Sequence, residues 1–218
     1  MSEPVKSRTY RSSVREEQAR RTRQAILDAA RQLFAEQGYA ATTIAQVARA
    51  AGVAVDTVYA SVGAKPVLMR LLMETAISGT DKAVPAEQRD YVRQVRAAAT
   101  AREKIRIYAS AVTAANTRLA PLHLVLRGAA AQDAELARIR DEISERRAAN
   151  MRLFAQDLAA TGELRPGLDT DEVADVVWSM NSAEYFMLLV HERGWEPDRF
   201  AAWLADAWAR LLLAPPGA

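Results

Sequence analysis

Two short apolar-periodic segments meet at a single glycine in the sequence TTIAQVARAAGVAVDTVYASVGAK, residues 42–65. Neither segment forms a stable helix by itself, because isolated helices of fewer than about 12–15 residues are marginal in water. Thr43 followed by Gln46 is a capping-box signature for the start of the first segment. Gly52 permits a tight turn between the two. The pattern therefore predicts a helix-turn-helix at about residues 43–62.

A helix-turn-helix suits the reading of duplex DNA. One helix braces against the DNA backbone while the next enters the major groove, which is about 12 Å wide and admits one helix. The second helix must then be short and exposed on one face, as the segment after Gly52 is expected to be.

The rest of the chain is helical in its hydrophobic period, and sustained alternation typical of strands is missing from the sequence. We therefore predict an all-α fold in which the helix-turn-helix head is joined to a larger helical body. The expected divisions are a basic, disordered arm (1–19), the head (20–80) and the body (81–218), with a loop at 78–87 as their boundary. Within the body we expect a helix to end at Pro121 and a single helix to span 170–192.

Positive charge is concentrated near the N-terminus, although the net charge of the chain is only +2. Residues 1–65 hold ten Lys or Arg against six Asp or Glu. This asymmetry indicates a polyanionic partner for the N-terminal part, although a solvated charged tail fits the charge equally well. The arginines expected to form a DNA-binding arm are Arg8, Arg11, Arg15, Arg20, Arg21 and Arg23.

Several functional classes find no support in the sequence. The chain has no cysteine and only two histidines, and it contains no recognisable catalytic, nucleotide-binding or metal-binding motif. It has neither a signal-peptide core nor an apolar run long enough to span a membrane, so a cytoplasmic location without membrane association is expected. We predict no catalytic residue, no metal and no cofactor. An enzyme without a recognisable motif and a helical protein-interaction module remain the alternatives.

Residues 24–68, which include the sequence ILDAARQLFAEQGYAATTIAQVARAAGVAVDTVYASVGAK, resemble the TetR family of bacterial transcriptional regulators. The resemblance covers the N-terminal third, and the body agrees only in its helical character. It implies a homodimer that binds a palindromic operator in double-stranded DNA. It also implies a repressor that an unidentified small-molecule effector releases from that operator.

The resemblance also implies which head residues contact DNA. Thr42 and Thr43 would lie beside a phosphate at the start of the second helix, and Tyr59 and Lys65 would contact the backbone. The residues implied on or near the groove-facing side of the third helix are Val55, Asp56, Thr57 and Ala60. The chain departs from the family pattern at Ala54, where a serine often caps the third helix, and at Asp56, where a small residue is frequent.

Apolar residues of the last helix repeat at helical spacing, and the helix before it is apolar on more than one side, so both are expected to have two partners. In proteins of the resembled family the last two helices pair with their copies. The resulting candidate dimer interface consists of Phe200, Trp203, Leu204, Trp208 and Leu211.

Polar side chains within the apolar segments of the body are candidates for an effector site. They are chosen from helical phase alone. The candidate effector-binding residues are Tyr108, Asn116, His123, Arg127, Trp178, Asn181 and Tyr185, with Glu184 beside them.

Overall fold

A computed structural model describes residues 6–80 and 82–215, and it describes side chains from Val14 onward. The described chain is all-α, as predicted, and one isolated backbone bridge joins Leu164 to Leu213. The helices are α1 (Lys6–Ala41), α2 (Ile44–Ala51), α3 (Val55–Val62), α4 (Lys65–Ser78), α5 (Asp90–Ala97), α6 (Ala101–Ala130), α7 (Ala134–Ala159), α8 (Thr170–Met180), α9 (Ala183–Phe186) and α10 (Pro197–Leu212). A 3-10 turn (Ala86–Gln88) precedes α5, and a π-helical turn (Met187–Glu192) continues α9.

The predicted helix-turn-helix is confirmed. Thr43 caps α2, since its side chain accepts a hydrogen bond from the Gln46 amide while the Gln46 side chain accepts one from the Thr43 amide. Gly52 ends α2 with φ 68°, in the left-handed region that favours glycine. The core that holds α2 and α3 against α1 contains Ile26, Phe34, Val47, Val58 and Val62.

The first helix begins earlier than the sequence analysis predicted. We expected residues 1–19 to be disordered, but α1 extends back to Lys6, and only residues 1–5 of that arm lie outside the described chain. Glu17 accepts hydrogen bonds from Arg20 and Arg21 one turn further on, and these bonds lower its pKa to about 2. Such pairs at helical spacing favour the helix. Arg20 and Arg21 therefore stabilise α1 by pairing with Glu17.

The chain divides into two compact units, and the division falls between Met73 and Glu74 rather than in the predicted loop at 78–87. The last turn of α4 belongs to the second unit because two arginines of that unit contact it. The Arg118 Nε donates to the Ala76 carbonyl at 2.9 Å. Arg146 also lies 3.5 Å from the Glu74 carboxylate.

The second unit is built around α6. Helix α10 packs along α6, and α7 packs against both α6 and α8. Pro121 does not end α6 as predicted but lies within its 30 residues, so neighbouring packing outweighs the lost backbone hydrogen bond. Asn181 divides the expected single helix over 170–192 into α8 and α9, and Ser182 caps α9 by accepting a hydrogen bond from the Tyr185 amide.

The apolar stripe of α10 serves this core, which corrects most of the predicted dimer interface. Phe200, Leu204 and Trp208 are fully buried within the chain itself. Only Trp203, which is half-buried, and Leu211, which is 48% exposed, remain accessible to another molecule. The reason is that α10 needs one whole face to cover α6, so its most regular stripe is used inside the subunit.

None of the described helices is both long enough and apolar enough to cross a membrane.

The burial pattern predicts how much stability is lost when a buried or an exposed leucine side chain is shortened to alanine. Leu204→Ala should lower the free energy of unfolding by about 2–5 kcal/mol, because a fully buried leucine leaves a cavity. Leu153→Ala, at a leucine that is 54% exposed on α7, should change it by less than about 0.5 kcal/mol. Urea unfolding followed by circular dichroism measures both. Equal losses in the two variants would contradict the assignment of the α10 stripe to the core.

Candidate functional site

Helix α3 presents one exposed face and one buried face. Val58 and Val62 are buried against the rest of the head. On the other face Val55 is 39% exposed, Tyr59 is 51% exposed, and Asp56 is also exposed. Ala60 is exposed beside them and Thr57 is half-buried. The predicted groove-facing residues therefore lie on the accessible side of a helix whose other side is anchored.

Tyr59 is the largest side chain on this exposed face. Its backbone carbonyl accepts a hydrogen bond from the Gly63 amide, but its side chain has no hydrogen bond or ring contact among the described residues, so its hydroxyl is available as a donor. A phenol on an exposed helix face is able to donate to a phosphate oxygen, which is the commonest kind of protein–DNA hydrogen bond.

Lys65 lies at the start of α4, next to the end of α3. Its ammonium nitrogen lies 4.1 Å from the centre of the Tyr39 ring, and Tyr39 packs in turn on Phe34 with ring centres 5.5 Å apart. The cation–π contact holds the ammonium in one place on the head. Lys65 is half-buried: its aliphatic part packs against the head, and its ammonium group lies over the Tyr39 ring.

The two adjacent threonines have different roles. Thr43 is exposed and caps α2. Thr42 is fully buried; its hydroxyl donates to the Gly38 carbonyl at 2.8 Å and accepts from the Gln37 amide at 3.3 Å. The Thr42 side chain is thereby used inside the head, and the predicted phosphate contact is left to Thr43 and to the first backbone N–H groups of α2.

The start of α3 has the weak cap that its sequence predicts. Ala54 occupies the cap position and makes no side-chain hydrogen bond to the helix. Asp56 lies in the first turn, where a negative charge interacts favourably with the helix dipole by about 0.3–1 kcal/mol. Its exposed carboxylate also repels DNA phosphates, so close approach of this part of α3 to the DNA backbone is unfavourable.

Arg23 is a positioning residue that sequence reasoning assigned to the arm. Its guanidinium donates to the Ser61 carbonyl at 2.6 Å, so it joins α1 to the last turn of α3. A cation is favourable at a helix C-terminus, where carbonyl groups lack partners. The spacing of 38 residues between donor and acceptor is not visible in any local pattern. The side chains of Arg8 and Arg11 lie outside the described residues.

In the second unit three predicted effector residues converge. The Asn181 side-chain amide donates to the Tyr108 hydroxyl at 2.8 Å, and the Asn116 amide donates to the Asn181 carbonyl at 3.2 Å. All three residues are buried. Burial raises the pKa of the Tyr108 phenol above its ordinary value, so it remains a neutral donor.

A second group of predicted residues surrounds one carboxylate. His123 lies 3.2 Å from the Glu184 oxygen, and Arg127 pairs with the same oxygen. The hydrogen bond from His123, reinforced by Arg127, holds the pKa of Glu184 well below its usual range. Glu184 is therefore anionic and links α6 to α9.

Two further predicted residues contact groups outside these clusters. The Arg147 guanidinium lies 4.4 Å from the Trp178 ring centre and donates to the Trp178 carbonyl at 2.9 Å. Tyr185 stacks on Trp203 with ring centres 5.6 Å apart and belongs to a half-buried aromatic cluster instead. The sequence analysis missed Arg147. Residues four apart lie on the same face of a helix, so the position of Arg147 four residues before the buried Met151 could have indicated that it faces the interior.

A cleft of about 90 Å³ opens between the 3-10 turn, α5, α6 and α7. Its wall is mainly apolar and includes Tyr91, Val95 and Phe154. Tyr108 and Met151 also line it, so the predicted effector region touches a real cavity. The described residues contain no group of three or more histidine, aspartate or glutamate side chains arranged to hold a metal ion.

An all-helical chain with an anchored, exposed recognition helix belongs to the class of helix-turn-helix DNA-binding regulators. Residues 26–65 match the family model described as bacterial regulatory proteins, tetR family. The head is thus a TetR-family DNA-binding domain, and the fold of the whole chain is that of TetR-family transcriptional regulators.

Solved structures support the assignment of the fold. NalD of Pseudomonas aeruginosa, the secondary repressor of the MexAB-OprM multidrug efflux pump, is 24% identical with a TM-score of 0.71, over 92% of this chain and 100% of NalD. FadR of Bacillus subtilis, in complex with stearoyl-CoA, is 20% identical with a TM-score of 0.68, over 85% and 96%. A regulator from Saccharomonospora viridis, in complex with choline, is 17% identical with a TM-score of 0.64, over 88% and 98%. No match was found among curated protein sequences.

The burial of Thr42 generates a test of its role. Thr42→Val should leave the Gly38 carbonyl without its donor and lower the stability of the protein by about 1–3 kcal/mol. Urea unfolding measures this loss, and DNA affinity is measured separately where the variant is fully folded. The affinity should equal that of the wild type. If the variant had unchanged stability but bound DNA more weakly, the result would show that Thr42 contacts a phosphate directly.

Proposed function

We propose that the protein is a dimeric transcriptional repressor that binds a palindromic operator and is released from it by a small-molecule effector. The observation that carries the proposal is the exposed face of α3 on a TetR-family head. Val55 and Ala60 are suited to contact thymine methyl groups, and Thr57 to donate to a base or phosphate. Tyr59, Lys65 and Thr43 supply backbone contacts around this face.

The composition of the face suggests how affinity and specificity are divided. Helix α3 contains no arginine, so bidentate recognition of guanine from this helix is absent. Asp56 accepts hydrogen bonds only, so it favours a cytosine amino group and disfavours other base edges. Affinity then rests mainly on phosphate contacts, which are strongly dependent on salt.

Repression and effector release are proposed by analogy with the neighbours. NalD is described as a repressor. Two neighbours are described in complex with stearoyl-CoA and with choline, which have little chemistry in common. The effector of this chain must therefore be inferred from its own side chains.

The first test measures binding to duplex DNA from the region upstream of the gene. Affinity should fall steeply with increasing salt because the contacts are mainly to phosphate. Tyr59→Phe should weaken binding to specific and non-specific DNA alike, by about 3- to 10-fold, since one hydrogen bond contributes roughly 1 kcal/mol. Fluorescence anisotropy with labelled duplexes gives both affinities.

Tyr185→Phe, which removes a tyrosine hydroxyl in the second unit, is the matched control and should bind DNA as the wild type does. An affinity that is indifferent to salt, or a Tyr59→Phe variant with full affinity, would contradict the proposed backbone contacts.

The proposed dimer uses the apolar positions that the core leaves accessible. On α10 these are Trp203, Ala207 and Leu211, which follow one another at four-residue spacing. On α8 Val176 and Met180 are half-buried at the same spacing. A dimer is required because a palindromic operator presents two half-sites about 34–36 Å apart.

This interface predicts the oligomeric state of charged variants. Ala207→Glu combined with Leu211→Glu should shift the protein from dimer to monomer and abolish operator binding, because two buried carboxylates would face an apolar partner. Light scattering after size-exclusion chromatography measures the mass, and circular dichroism checks that the helices remain. Ala202→Glu, at an exposed position of the same helix, should stay dimeric. A double variant that remains a dimer would move the interface elsewhere.

A further inference from the structure

Unused polar atoms are concentrated where α7 meets α8. Among the described residues, the buried side-chain nitrogen or oxygen atoms without a hydrogen-bond partner are Arg147 Nε, Trp178 Nε1, Asn181 Oδ1 and Trp208 Nε1. The first three belong to residues that lie on the contact between these two helices. A buried polar atom without a partner is destabilising, so such atoms usually have a ligand or water to bind.

The surrounding contacts hold these side chains in place. The Arg147 guanidinium is stacked on the Trp178 ring and tied to the Trp178 carbonyl. Asn181 is only 3% exposed, and its amide nitrogen is held by the Tyr108 hydroxyl. We name Tyr108, Arg147, Met151, Trp178 and Asn181 the α7–α8 node.

The node has more strong donors than strong acceptors. The Tyr108 hydroxyl donates to the Met151 sulfur at 3.2 Å, and the Asn181 amide approaches the same sulfur at 3.0 Å. A thioether is a weak acceptor. Two good donors are therefore satisfied poorly, while the Arg147 Nε–H and the Trp178 Nε1–H are not satisfied at all. Asn181 Oδ1 is the one unused acceptor.

The charge of the node is also positive. No ion pair to Arg147 is found among the described residues, and burial lowers its pKa relative to an exposed arginine. The nearby carboxylate of Glu184 opposes this shift, but Glu184 is already engaged by His123 and Arg127. The Arg147 Nε is buried without a hydrogen-bond partner and no carboxylate pairs with this guanidinium among the described residues, so an additional anion is favoured there.

The cleft touches the node through Tyr108 and Met151, which line it and which both contact Asn181. Arg147, Trp178 and Asn181 do not line the cleft, so a ligand in it reaches them only if the Met151 side chain moves. The remaining wall combines the apolar side chains of Val92, Val95 and Phe154 with the charged side chains of Glu87, Arg96 and Asp157. The volume of the cleft is about 90 Å³, below the roughly 300–1,000 Å³ of typical ligand pockets, so it holds a short apolar chain or a ring rather than a large ligand.

We propose that the α7–α8 node binds the carboxylate of a small organic acid whose apolar part occupies the cleft. A carboxylate is an acceptor-only group, so it matches the unused donors of Arg147 and Trp178 and replaces the sulfur of Met151 as acceptor for Tyr108. Met151 is the side chain that moves, because it is unbranched and flexible. The inference rests on the proposed function in that this acid is the effector.

The test uses the full-length protein with octanoate and benzoate as probes, and octanol, octylamine and benzyl alcohol as matched compounds without the negative charge. Both acids should bind saturably and raise the melting temperature. The neutral and cationic compounds should bind at least about 10-fold more weakly, since they cannot form the charge-assisted hydrogen bonds of a carboxylate. Isothermal calorimetry gives the affinities and thermal unfolding gives the stabilisation.

Two variants assign binding to the node. Arg147→Gln should weaken octanoate binding at least about 10-fold, whereas Arg152→Gln, which removes an exposed arginine of the same helix, should leave it unchanged. Trp178→Phe keeps the aromatic packing and removes one donor, so it should weaken octanoate binding by about 3- to 10-fold even if Arg147→Gln fails to fold.

The outcomes separate the site from the proposed function. Equal affinity for octanoate and octanol, or octanoate binding that is unchanged in Trp178→Phe and in folded Arg147→Gln, would overturn the carboxylate site. Absence of binding by every probe would overturn it as well and would leave the node to internal water only. Operator binding is measured on the same preparation. Its loss in the wild type would contradict the regulator, whereas intact operator binding with no acid binding would remove only the site.

Discussion

The packing of α3 against α1 is the constraint on which the DNA-binding surface depends. An eight-residue helix with no side-chain cap at its start is not stable by itself, so its position comes from buried contacts. Val58 and Val62 supply the apolar contact, and Arg23 donates a hydrogen bond to the Ser61 carbonyl in the last turn of α3. The exposed face that carries Tyr59 and Asp56 is held at a defined angle only because the opposite face is held in this way.

A different balance governs the second unit, where polar groups are buried among apolar helices. Hydrogen bonds from Asn116 to the Asn181 carbonyl and from Asn181 to the Tyr108 hydroxyl join α6 to the end of α8. The Nε of Arg147 and the Nε1 of Trp178 have no hydrogen-bond partner, although Arg147 donates to the Trp178 carbonyl and stacks on its ring. Stability and ligand binding compete at this contact, because the same donors that a ligand would satisfy are costly without one.

Local signals predicted the head better than the body. The capping box at Thr43 and the glycine at 52 act over a few residues, so their structural meaning is readable in the chain and the structure confirms it. The break at Asn181, the continuation of α6 through Pro121 and the long start of α1 were missed. At Pro121 the local preference is strong and packing outweighs it, while at the other two positions the local preference is weak.

The sequence by itself determined the all-helical class, the helix-turn-helix and the exposed face of α3, because hydrophobic period and turn chemistry are properties of neighbouring residues. Only the tertiary structure decided which stripe of α10 is core, since periodicity states that a face is buried but not against what. The burial of Thr42, the bond from Arg23 to α3 and the meeting of Arg147 with Trp178 were decided in the same way. They join residues that only packing brings together, and no local pattern specifies such partners.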